Sequence, residues 1–148
     1  MGFAFTAEDM QRLTQDQKAA VVGACMAAVF ADGQIDPAEV AKFEAAFQAV
    51  PWGIPNEHVE LMIQLVYLKL STLRSPEQAS EFIRRTADTL PSADMKEKAF
   101  ALAAKVCYVE TPMNQSTRNV LDALAQAMQI SLPRIAQIAA EVKREQQA

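Results

Sequence analysis

The sequence predicts an all-α fold, and three observations carry that prediction. Alanine supplies 27 of the 148 residues and glycine only 4. That balance favours helices, because alanine loses no side-chain entropy in a helix while glycine loses the most backbone entropy. The seven prolines all fall where a helical pattern begins or ends, positions that tolerate a residue without an N–H. Between those marks apolar residues recur three and four apart, the spacing of one helical face, and no stretch alternates as a strand would. A chain of 148 residues is of single-domain size, here 1–148. At that length roughly 68–70% of the unfolded surface is buried on folding, so no disulfide or metal staple is needed.

The elements follow in order. Thr6 opens a short first helix over 6–12, and Thr14 opens the second over 14–31, whose apolar face holds Val21, Val22, Cys25, Met26, Val29 and Phe30. Asp36, Pro37 and Glu39 have the spacing of cap, first-turn proline and capping-box acid, and begin a helix over 37–50 with Val40, Phe43, Phe47 and Val50 on one stripe. Asn56 heads a helix over 56–73 that is apolar nearly all round, the pattern of a central, buried helix. Ser75-Pro76-Glu77-Gln78 is a specific start signal for a helix over 76–90. Ser92 starts a helix over 92–110, a seventh runs over 115–129 with Val120, Leu121, Leu124 and Met128, and Ser131 caps the last over 132–146. The expected architecture is a single-domain bundle of seven to eight helices, with two pseudo-repeated hairpins around a central apolar helix.

The pseudo-repeat comes from a shift of 78 residues, which lays Thr14–Val50 over Ser92–Met128. Asp16 then meets Asp94, Lys18 meets Lys96, Phe30 meets Tyr108, Asp32 meets Glu110, and Phe43 meets Leu121. Two helical hairpins packed side by side need the same apolar stripe, so the match is equally compatible with common packing demands.

Charge and composition exclude several function classes. Lys and Arg number 14 against 18 Asp and Glu, a net charge of −4, which argues against a nucleic-acid partner held by phosphate neutralisation. The N-terminal MGFAFTAEDMQRL lacks the basic start, apolar core and small-residue cleavage site of a secretory leader. The most apolar stretch, 59–73, is interrupted by Glu60, Gln64 and Lys69 and is too short to span a bilayer. Cys25 and Cys107 each sit inside an apolar helical pattern and read as packed thiols rather than a redox pair. A cytoplasmic location is expected. Trp52 reads as a core cap on an inter-helix loop, and Arg74, Arg84 and Arg85 as a solvated basic face.

One segment carries chemistry. Ala31-Asp-Gly-Gln-Ile-Asp-Pro-Ala-Glu39 holds Asp32, Asp36 and Glu39 within eight residues. It matches the second half of an EF-hand loop, but the first two ligand positions then fall on Ala28 and Phe30, which bind no calcium, so an EF-hand is rejected. Two readings stay open. In one, Asp32, Asp36 and Glu39 join Glu110 from the matching corner around a hard cation, Ca²⁺ or Mg²⁺. In the other, Gly33 is a left-handed helix cap and Asp36 with Glu39 a capping box, with no metal needed.

Following the helix Ala19–Phe30, this corner resembles the first signature corner of the TerB-like family, which includes tellurite-resistance TerB and the related domain of some membrane-anchored DnaJ-type co-chaperones. The resemblance covers nearly the whole chain. It implies an all-helical fold of two such hairpins and acidic metal-chelating residues in the corners, here Asp32 and Glu39. In the second corner Glu110 stands for the Asp, while Thr111 replaces the Gly and Thr117 the second Glu. It further implies a non-enzymatic, stress-associated role exercised through a protein partner, often one at a membrane. The alternative is a purely structural or oligomerising bundle, a homodimer joined by a contiguous apolar patch. An enzymatic reading would need His58 beside Asp32 and Glu39 in an open pocket.

Overall fold

Among the described residues of the computed structural model, the predicted polar caps stand at the helix starts the sequence gives them, with one exception. The structure describes residues 4–29, 45–107 and 115–147. In α1 (Ala7–Arg12) the Thr6 hydroxyl accepts from the Asp9 N–H at 3.1 Å and the Asp9 carboxylate accepts from the Thr6 N–H at 2.9 Å. In α2 (Gln15–Val29) Thr14 and Gln17 exchange the same pair of bonds at 3.1 and 2.9 Å. These reciprocal boxes satisfy N–H groups that the first helical turn leaves without partners. A helical segment at 45–48 is the described end of the helix expected over 37–50. The exception is α3 (Asn56–Ser71). Its cap is Pro55, with no side-chain bond, and Asn56 is already helical. In α4 (Pro76–Thr89) Ser75 accepts from the Gln78 N–H at 3.2 Å, with Pro76 in the first turn. Then α5 (Ala93–Cys107) is capped by Ser92, α6 (Gln115–Ala127) follows, and α7 (Leu132–Gln147) is capped by Ser131. Among the described residues there is no strand, and the fold is all-α.

Among the described residues the 78-residue shift matches helix starts. It carries the start of α2 at Gln15 onto the start of α5 at Ala93, with Thr14 and Ser92 as matching caps on Gln17 and Met95. The segment 45–48 falls within α6, and Phe47 and its counterpart Ala125 are both buried.

The central helix is α2, and the expectation that 56–73 would be central is corrected. Every residue of α2 from Ala20 to Val29 is buried, and the helix packs against α3, α4, α5 and α6. Only Val59 and Met62 of α3 are buried. Side-chain size explains the difference. Ala20, Gly23, Ala24, Cys25, Ala27 and Ala28 let neighbours approach α2 from all sides, whereas the bulky residues of α3 hold it at the edge. At Gly23 a Cβ would lie 3.3 Å from the Phe82 ring and 3.6 Å from the Thr86 hydroxyl of α4, so the missing side chain sets that close approach. The partner of α2 in the core is α5, with Met95, Ala99–Ala104 and Val106 buried. Leu124, Ile138 and Val142 complete one continuous cluster.

A charged contact ties the N-terminal helix to this core. Lys98 Nζ of α5 lies 2.5 Å from the Asp9 carboxylate and 3.5 Å from that of Asp94. Asp9 and Lys98 are largely covered, so the capping acid of α1 is also its anchor. Trp52 caps the core as expected. It is buried, donates from its indole N–H to the Phe47 carbonyl at 2.9 Å, and packs edge-on against the Phe47 ring. Gly53 follows at φ +73°, a left-handed turn that suits glycine.

Candidate functional site

The acidic corner falls outside the described residues. Asp32, Asp36 and Glu39 lie in 30–44, and Glu110 and Thr111 in 108–114. Thr117, the position matching the second corner acid, is buried on α6. The helices that lead into the two corners, α2 and α5, are packed against each other. Among the described residues no three of His, Cys, Asp and Glu converge on one point. His58 is exposed in the first turn of α3, beside Glu57 and Glu60 on the chain.

Cys25 is buried, and burial pushes its thiol well above the ordinary range, with Cys107 adding to the rise. A thiol held protonated is neither nucleophile nor metal ligand. The basic residues at 84 and 85 form a surface network: Arg84 pairs with Glu81 and Asp88, and Arg85 with Glu81 at 3.0 Å. A crevice of about 80 Å³ lies between Phe5, Val50, Leu102 and Val142, with Lys105 and Glu141 on its wall. That is far below the roughly 300–1,000 Å³ of a small-molecule site.

The feature that departs from an ordinary surface is the outer side of α3. At 100° per residue, Leu61, Leu65 and Leu68 fall on one stripe, with the buried Val59 on the far side of the helix and the buried Met62 about a quarter turn away. They are 52%, 57% and 59% exposed. Glu57, Glu60 and Gln64 on one flank and His58 and Lys69 on the other are all exposed. A contiguous apolar stripe with a polar rim is the usual composition of a macromolecular contact rather than of a catalytic cleft. The signal was in the sequence, as apolar residues around the whole circumference of 56–73. Leu132, the most exposed large apolar residue, stands apart on α7.

Comparison of the chain with protein-family models, with curated proteins and with solved structures finds no match. Among the described residues no helix is long and apolar enough to cross a membrane.

Proposed function

We propose that this chain is a non-enzymatic protein-interaction domain of TerB-like type, and that its contact surface is the outer face of α3. The observation that carries the reading is the exposed Leu61/Leu65/Leu68 stripe on a helix whose other side is already packed. Three solvated leucines on one face are a standing cost in water, relieved when a partner covers them. Tagged full-length chain, wild type or Leu65→Glu, tests this by capture from the cells that express it. The wild type retains a protein partner that Leu65→Glu loses; an identical set of captured proteins from both would sink the reading. Leu65 is exposed, so the variant keeps the wild-type circular dichroism spectrum.

The proposed domain also holds a divalent cation, Ca²⁺ or Mg²⁺, at Asp32, Asp36 and Glu39 with Glu110 as the fourth acid. This part, like the link to stress response and tellurite resistance, is supported by the corner sequence and its resemblance. Oxygen-only ligands favour hard cations. Calorimetric titration with Ca²⁺, Mg²⁺ and Mn²⁺ is expected to give binding heat and a raised melting temperature in the wild type, both lost in Asp32→Asn. No heat and an unchanged melting temperature in the wild type would remove the cation from the proposal.

A further inference from the structure

We infer that the occupant of the α3 stripe is a second copy of this chain, docked antiparallel through Leu61, Leu65 and Leu68. The inference rests on the contact reading proposed above and gives it a partner.

The stripe is self-complementary. Its leucines are spaced four and then three residues apart, the alternation of a two-helix seam. Thr72, which ends α3 in helical conformation, continues the same line. Laid antiparallel on its copy, Leu65 of one helix sits beside Leu68 of the other, and the reverse. Leu61 covers the Thr72 methyl at each end. The result is four apolar layers with no polar group forced between them.

Charge selects the direction. Glu57 and Glu60 lie toward the N-terminal end of α3, and Lys69 and Arg74 lie toward and just past its C-terminal end, all four exposed. An antiparallel pair brings the acidic N-terminal end of each copy level with the basic C-terminal end of the other. A parallel pair would bring the two acidic N-terminal ends level with each other. The helix dipoles favour the same choice, since each positive N-terminus then lies by a negative C-terminus.

Size sets the strength. Three leucines per copy, even with their rim, cover well under the roughly 800 Å² per partner of a stable interface. The dimer is therefore weak and forms with concentration, and the monomer keeps its fold on the core that α2 and α5 build.

Sedimentation velocity of the full chain from about 10 μM to about 1 mM tests this, a range that reaches weak associations. The average mass of the wild type should rise from 16.2 kDa toward twice that value, while Leu65→Glu stays monomeric throughout. Glu57→Lys should weaken association about threefold or more by setting like charges at each end, and Glu57→Lys with Arg74→Glu should restore it. A wild-type chain that stays monomeric at the highest concentration overturns the inference, as does a Leu65→Glu chain that dimerises like the wild type. Association in Glu57→Lys equal to the wild type overturns the antiparallel arrangement. A monomeric wild type whose Leu65→Glu variant still loses a captured partner refutes the second copy while leaving the contact reading in place.

Discussion

Met26→Ala is expected to cost about 2–5 kcal/mol of folding stability, the range for emptying a buried methionine or leucine site whose surroundings relax only in part. Met26 is 1% exposed on α2, the helix on which α3, α4, α5 and α6 converge. Leu65→Ala, by contrast, should shift stability by no more than about 0.5 kcal/mol, because it removes surface already in water. Urea or guanidinium denaturation of dilute monomer measures both. The pair separates the two candidates for the central helix, since a core built on 56–73 would reverse the order. The same reasoning applies to gain of volume. Ala24→Leu must place extra carbons at a site with no exposed surface, and should cost about 1–3 kcal/mol through displaced neighbours.

The second large effect is expected at the contact between α1 and α5. Lys98→Met keeps most of the aliphatic stem and removes the charge, leaving the largely covered Asp9 carboxylate with the Thr6 bonds alone. A cost of about 1–3 kcal/mol follows from a polar group deprived of its partner, or roughly 2–4 °C of melting temperature per kcal/mol for a chain of this size. The pH dependence has a defined sign. Burial raises the Asp9 carboxyl, but the hydrogen bonds from Lys98 and Thr6 outweigh it and hold it below the usual carboxylate range. Burial likewise lowers the Lys98 ammonium, and the bond to Asp9 with the charges of Asp9 and Asp94 outweighs that and holds it above its ordinary value. The Asp9 contribution is therefore complete above the unfolded carboxylate value near ~3.9, and is lost as pH falls through the lower folded value. The Lys98 contribution is complete below its unfolded value near ~10.4, and is lost as pH rises through the higher folded one. The stability gap between wild type and Lys98→Met should be flat from about pH 5 to 9 and should shrink in strong acid. A gap unchanged at about pH 2 would show that the ion pair is not its cause.

Local chemistry made the helices legible. Thr6, Thr14, Ser75, Ser92 and Ser131 each cap the helix their neighbours announce, because a cap and its third-residue donor are a short-range pair. The repeat was legible for the same reason: α2 and α5 begin with equivalent caps at positions 78 residues apart. Asn56 misled because a polar residue after Pro55 has the composition of a cap, while the proline itself takes the cap position. The Asp9–Lys98 contact joins residues 89 positions apart, a distance over which a single sequence carries no pairing signal. Within the candidate interaction site the leucines of α3 were visible and their role was not. An all-round apolar pattern states that two faces want cover without stating which one the fold covers.

The sequence by itself determined the all-α class and the capped helix starts among the described residues, since each depends on interactions within a turn or two of helix. Only the tertiary structure decided which helix lies at the centre. Packing rewards close approach, and the small residues of α2 allow it on every side while the large residues of α3 do not. The helix with the bulkier apolar side chains was left at the edge, with its leucines facing outward.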